Sequence, residues 1–417
     1  MSQYKPLFFF LFIILSFNWG GRVEDSINNN RIFFSLKPEY VHMVFPVYLN
    51  DSISANMTLD TGSRDGAFLI DSTFIDQHLA SFPYFTDDNV SNVFRVGSGW
   101  GTNSVRNLVF NINQKVKLGN TELNYNRIQV SDWKGAMYDP LTEGVFNIPE
   151  NDTTHIWEFN FENNYLEIHS VEDFKFPQNS FFVALEKEVY YDTISWSFIV
   201  KLPIFIESSD GDTITMNCKF FIDTGMHWDI ALFSHAEEWN FFNSKDDALW
   251  TRRTGNTYDR RHTVKATLFD EIIIDSLYIH VFNEDHALKM NLIGLNFLKH
   301  FNVFFDMKDL QMALQPITNF QRLSRPNIRR FHYLAHSIDD GRFVVSFVPD
   351  YPKNYYKTAG LHVGDEIIRI NNIQYKDITP EITSDYYKMD TLYFDIIRDG
   401  IPIKLNIPVD KNEVQGD

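Results

Sequence analysis

Leu59-Asp60-Thr61-Gly62-Ser63 and Ile222-Asp223-Thr224-Gly225-Met226 decide how this chain is read. Each begins on an apolar approach, Met57-Thr58-Leu59 or Phe220-Phe221-Ile222, and continues with a carboxylate, a hydroxyl and a glycine in the same order. An aspartate that ends an apolar strand stands where the chain turns out of the core, and burial there raises a carboxyl pKa. One such tripeptide turns up by chance in about one chain in ten of this length. Two in matched surroundings carry far more information than one.

Outward from these turns the sequence is written twice, and a repeat of this size sets the architecture before any motif does. Residues 42–49 alternate as a strand, Asn50-Asp51-Ser52 turns, and 53–59 return to Asp60. Residues 198–206, the turn 208–212 with Gly211, and 213–222 repeat that order before Asp223. Both are expected hairpins. Apolar segments follow at 67–70 and 230–233, then short helices with Ser72 and Ser234 as expected caps. Glycine-bearing hairpins come next, 96–105 with Gly97, Gly99 and Gly101, and 252–263 with Gly255. Each copy closes on a second motif, Gly144-Val145-Phe146-Asn147 or Leu292-Ile293-Gly294-Leu295, ahead of strand pairs at 156–161 with 165–168 and 301–306 with 310–314.

The chain has 417 residues, more than one hydrophobic core usually serves. It divides into a signal segment 1–21, lobes at 22–178 and 179–320, a linker 321–330 and a final module 331–417. Lys5 followed by the apolar run 7–17 and then Asn18-Trp19-Gly20-Gly21 reads as an export signal, or as an anchor if uncleaved. Eleven apolar residues are too few for a spanning helix, which needs about 20, and no later stretch is longer, so no membrane span is expected in the mature chain. The protein is then periplasmic, surface-held or secreted. The charge balance, 37 − 55 = −18, repels phosphate backbones and argues against a nucleic-acid partner. One cysteine, Cys218, allows neither an internal disulfide nor a thiol-rich metal site.

If the two copies meet face to face, Asp60 and Asp223 come into contact, and two carboxylates at that distance share one proton. One then serves as base towards a bound water and the other as acid towards a scissile carbonyl. That chemistry needs no metal and no cofactor. Gly62 and Gly225 fit it, because a missing Cβ lets the backbone close on the carboxylates. No Gly-x-Ser-x-Gly elbow or His-Glu-x-x-His motif is present. Gly97-Ser98-Gly99-Trp100-Gly101 lacks the Lys-Ser/Thr of a phosphate loop.

With Leu292-Ile293-Gly294 added, the two aspartate motifs resemble those of aspartic peptidases of the retropepsin/pepsin-like group. The order of modules resembles bacterial predicted aspartyl proteases with a C-terminal PDZ domain, through Ala359-Gly360-Leu361-His362-Val363-Gly364-Asp365. The likeness spans residues 33–315 and 331–410. It implies a mainly β protein: two pseudo-symmetric lobes with a cleft between them, then a PDZ-like β/α module. It also implies an Asp60/Asp223 dyad supported by Thr61, Gly62, Ser63, Thr224, Gly225 and Gly294. A flap with Gly97, Gly99, Trp100 and Gly101 would cover peptide or protein substrates. Peptide ends would join the strand 342–348 of the last module, along Gly341, Arg342, Phe343 and Val344.

Two positions depart from the family pattern. Met226 replaces a small or hydroxylic residue, removing a side-chain donor to Asp223, and Asn147 replaces a glycine, adding bulk beneath the first aspartate loop. They keep open a second reading, a peptide-binding protein that no longer cleaves. A third is an autoprocessing or tethered regulator.

Overall fold

Among the described residues the strands form three sheets, of fifteen, nine and six strands. The computed structural model describes residues 31–34, 42–50, 52–63, 68–97, 104–131, 142–149, 152–186, 198–233, 237–245, 250–254, 257–282, 290–318, 335–337, 342–345, 348, 355–378, 382, 386 and 389–409. The protein is mainly β, with few and short helices. The signal segment, the linker and the second helix cap Ser234 lie outside the described residues, as do Thr379-Pro380-Glu381, read as a helix start.

In the first half the hairpin of Val44–Leu49 and Ile53–Leu59 buries alternate residues, as a strand with one face on a core must. Ile53–Leu59 runs parallel to Gly144–Phe146, which is antiparallel to Phe68–Asp71. Phe68–Asp71 is parallel to Ile128–Ser131, and antiparallel Ser104–Phe110 and Asn92–Gly97 follow. The second half repeats this series of pairings. Lys219–Asp223 is parallel to Asn291–Gly294, which is antiparallel to Ile230–Leu232. Ile230–Leu232 is parallel to Ile272–Phe282, and antiparallel Thr257–Leu268 and Trp250–Thr254 follow.

Six antiparallel strands tie the halves together. Their order is Arg31–Phe33, Tyr165–Ser170, His155–Asn160, Phe301–Asp306, Gln311–Pro316 and Phe181–Glu186. The central joint pairs Phe159 with Val303 and Ile156 with Asp306. Every residue of Phe301–Asp306 is buried, because both faces of this layer are covered. One continuous apolar cluster runs through both halves, with Phe45, Phe146 and Phe159 among its members from the first and Phe220, Phe297 and Phe305 from the second.

Three expectations change in detail. The second hairpin is interrupted: the register Lys201↔Lys219 and Ile204↔Met216 places Leu202-Pro203 opposite Asn217-Cys218, outside any ladder. Pro203 has no N–H to give a partner strand. The cap of helix Ser72–Gln77 is Asp71 and not Ser72, since Asp71 Oδ1 accepts from the Thr73 amide at 3.0 Å. The third change concerns the C-terminal sheet, which runs Ala335–Ser337, Phe343–Val345, Glu366–Ile370, Thr391–Arg398, Ile401–Pro408. Phe343–Val345 is an inner strand, paired to Ala335–Ser337 on one side and to Glu366–Ile370 on the other. The described part of the strand expected at 342–348 is thus Phe343–Val345, with Val344 paired on both sides, to His336 and to Glu366. Gly341 lies outside the described residues.

This last sheet has its own core, built on Phe394, Ile370, Leu392 and Tyr386. Asp365 is pinned there by a two-pronged pair with Arg398, Nε–Oδ1 and Nη2–Oδ2 both 2.7 Å, and by the His362 amide at 2.8 Å. The Arg398 guanidinium holds the Asp365 carboxyl below its ordinary range against the cost of burial. Among the described residues no helix is long and apolar enough to cross a membrane.

Candidate active site

Asp60 follows the last residue of a buried strand, and its amide donates to Phe146 O at 2.9 Å, so the parallel neighbour fixes where the chain leaves the sheet. Asp223 ends its own strand, in register with Gly294. The loops that follow face each other. Thr61 N–H donates to Thr224 Oγ1 at 2.9 Å, and Thr224 N–H to Thr61 Oγ1 at 3.1 Å. Each hydroxyl then donates across to the other strand, Thr61 to Ile222 O at 2.9 Å and Thr224 to Leu59 O at 3.1 Å. Both threonines are buried, so these four bonds are shielded from water and lock the loops as a pair.

The glycines close the arrangement from either side. A Cβ on Gly62 would lie 2.4 Å from Asp223 Cγ, and one on Gly225 would lie 2.6 Å from Asp60 Cγ. No side chain fits between either loop and the opposite carboxylate. Gly62 N–H donates to Asp60 Oδ1 at 2.8 Å, and Met226 N–H to Asp223 Oδ1 at 2.9 Å. The Met226 amide thus serves Asp223 as the Ser63 amide serves Asp60, and the Met226 side chain packs with Phe221, Phe233 and Leu292. Gly294 is required by closeness: its Cβ would sit 2.3 Å from Trp228 O and 2.6 Å from Met226 O.

Both carboxylates keep part of their surface open to solvent but are otherwise enclosed by protein. Burial pushes both upward in pKa. For Asp60 the rise is opposed by the Gly62 amide, the Asp223 side chain and the Gly225 and Ser63 amides. Asp223 rises further, because the Asp60 charge and hydrogen bond add to the cost of burial and only the Met226 and Gly225 amides oppose it. The pair therefore holds one proton above the ordinary carboxylate range, and its titration belongs to both groups.

Other residues named from the sequence fall elsewhere or outside. Gly97 pairs with Ser104 at the end of the Asn92–Gly97 hairpin, while Gly99, Trp100 and Gly101 lie outside the described residues. Asn147 is fully buried, with Nδ2 donating to Ser63 O at 3.1 Å and Oδ1 accepting from the Ile148 amide at 2.7 Å. Tyr125 O–H donates to Asn147 O at 2.6 Å, a support that spacing along the chain did not reveal. Burial, then the nearby Glu238 charge, push the Cys218 thiol up to about 12, which suits packing and not nucleophilic work.

Among the described residues one group has metal-ligand types close together, Glu158, Glu167 and His169, with donor atoms within 4.8 Å. Glu158 and Glu167 are cross-strand neighbours. Like charges so placed repel, and His169 on Glu158 (2.7 Å) and Arg31 on Glu167 (2.9 Å) provide the compensating donors.

No protein-family model matches the chain, and no curated protein matches it. Among solved structures, an aspartic proteinase from Irpex lacteus aligns with 70% of this chain and 97% of its own, at 12% identity and a TM-score of 0.43.

Proposed function

We propose that the protein is an aspartic-type endopeptidase with two pseudo-symmetric lobes, in which Asp60 and Asp223 activate one water between them. The observation that carries this reading is the reciprocal closure of the Asp-Thr-Gly loops, with each glycine against the opposite carboxylate and each threonine bonded across. Ionised Asp60 takes a proton from the water as its oxygen attacks the peptide carbonyl carbon. Protonated Asp223 gives its proton to the carbonyl oxygen, forming a gem-diol. Collapse of the diol returns a proton to an aspartate and delivers another to the leaving nitrogen, so the dyad is regenerated without a covalent intermediate. The peptide substrate, the flap at residues 96–105 and export directed by residues 1–21 belong to the same proposal.

The test is cleavage of a mixed peptide library between pH 3 and 7, with and without a statine-type mimic of the diol. Inhibitable cleavage by the wild type, lost in both Asp60→Asn and Asp223→Asn, is the expected result. Full activity in either variant rules the dyad out. Peptide binding without cleavage, unchanged in the double variant, would establish the non-catalytic reading instead.

A further inference from the structure

In the second half, the bond that ties the loop after the aspartate to the chain following Gly294 is made between backbone groups. Leu295 N–H donates to Met226 O at 2.7 Å, where Met226 stands three residues after Asp223 and Leu295 follows Gly294. The first half has the same register: Phe146 pairs with Leu59, so Asn147 stands beside Asp60 as Gly294 stands beside Asp223. The equivalent bond would run from Ile148 N–H to Ser63 O. It is not made. Ile148 N–H donates instead to Asn147 Oδ1 at 2.7 Å, and Asn147 Nδ2 donates to Ser63 O at 3.1 Å, with Thr61 O at 3.5 Å.

We infer that Asn147 is a positioning residue: its side-chain amide is inserted in series into the hydrogen bond that holds the first aspartate loop. A primary amide carries the same donor and acceptor as a peptide group, so it relays the bond while occupying the space a glycine would leave. Its carbonyl is fixed from behind by Tyr125 O–H at 2.6 Å, which limits the freedom of the Asn147 backbone. Ser63 and Thr61 flank Gly62, whose amide holds Asp60 Oδ1 at 2.8 Å, so the relay sets the position of the first carboxylate without touching substrate. Asn147 thereby compensates for the glycine that this position lacks. The functional consequence rests on the peptidase reading above, but the relay itself does not.

Three variants separate the roles. Asn147→Ala removes donor and acceptor while keeping the Cβ, and kcat falls by about 10- to 100-fold with KM changed less than about threefold, as expected for a misplaced carboxylate. Asn147→Asp turns acceptor oxygens towards Ser63 O and Thr61 O when ionised but restores a donor when protonated. Its activity relative to wild type therefore recovers as pH falls from 7 to 4, a change a packing role would not produce. Asn147→Gly, which permits the direct Ile148-to-Ser63 bond, retains more activity than Asn147→Ala. Wild-type kcat in Asn147→Ala, or a flat activity ratio for Asn147→Asp across that range, overturns the inference. Amide exchange of Ile148 provides the readout that needs no turnover: protection at least about tenfold weaker in Asn147→Ala than in wild type is expected, since one hydrogen-bonded acceptor is lost. Equal protection refutes the relay whether or not the protein cleaves peptides. An inactive wild type with a protected Ile148 refutes only the peptidase reading.

Discussion

Gly62→Ala tests the closure of the site most directly. The added methyl would lie 2.4 Å from Asp223 Cγ and Oδ1 and 2.8 Å from Oδ2. Non-bonded carbons rest about 3.5–4.0 Å apart, so the carboxylate or the loop must retreat by about 1 Å. The loop cannot move freely, because Thr61 beside it makes bonds of 2.9 Å to both Thr224 Oγ1 and Ile222 O. The carboxylate therefore yields, and a displacement of that size costs about 100-fold in kcat. Strain of this overpacking kind costs about 1–3 kcal/mol of stability. Gly225→Ala is the mirror experiment, with its methyl 2.6 Å from Asp60 Cγ. Both act on one carboxylate pair, so the double variant should lose less than the two losses multiplied together. Gly211→Ala is the control: its φ is +87° but nothing lies within 4 Å of the added atom, so it should lower stability slightly and leave kcat unchanged. The assay is steady-state cleavage of a library-derived peptide beside urea unfolding of the same samples. A Gly62→Ala enzyme within threefold of wild-type kcat would show that the loops and carboxylates are not in the contact described.

Asp223→Asn should gain stability relative to wild type as pH rises from 4 to 8. The raised pKa of Asp223 means that its favourable contribution is complete below the ordinary 3.8 and is lost as pH climbs through the folded value; thermal unfolding across that range checks it, and a gap that narrows with rising pH contradicts it. Thr224→Val keeps the shape but removes the bonds to Leu59 O and from Thr61 N–H. Two buried partners are left unsatisfied, at a cost of about 2–4 kcal/mol in urea unfolding, and a loss under 0.5 kcal/mol would refute the buried lock. Asp365→Asn breaks the two-pronged pair with Arg398 and should destabilise the C-terminal sheet by about 2–3 kcal/mol, somewhat below a fully buried pair because Arg398 is partly exposed. The wild-type contribution is present above the ordinary carboxylate pKa and disappears as pH falls through the lowered one, so exchange protection of residues 366–370 should differ between the two proteins at pH 7 and converge in acid.

The aspartate turns were legible because local chemistry dictates them: strands that are buried up to the aspartate run into polar turns, and the repeat shows that this happens twice. What joins the halves was not legible. Phe159 and Val303 are cross-strand partners across 144 positions of sequence, and no local pattern distinguishes a strand that pairs with a distant copy from one that pairs nearby. The fully buried run Phe301–Asp306 carries no alternation to indicate its neighbours. The break in the second hairpin was not read from the sequence, although Pro203 lacks the N–H that a continuous ladder needs. Asn147 reads from sequence as a flaw, because residue size is evident there and hydrogen-bond capacity in place is not.

The six-strand layer has a consequence in time. Its first and last contributors along the chain are Arg31–Phe33 and Gln311–Pro316, and its central joint needs Phe301–Asp306. A chain emerging from synthesis carries Asp60 early and Asp223 much later, and the Phe301–Asp306 strand that makes the central joint arrives only after about three-quarters of its length has been made. The sheet that ties the halves is thus completed last, and it braces the paired aspartate loops only once those strands are in place.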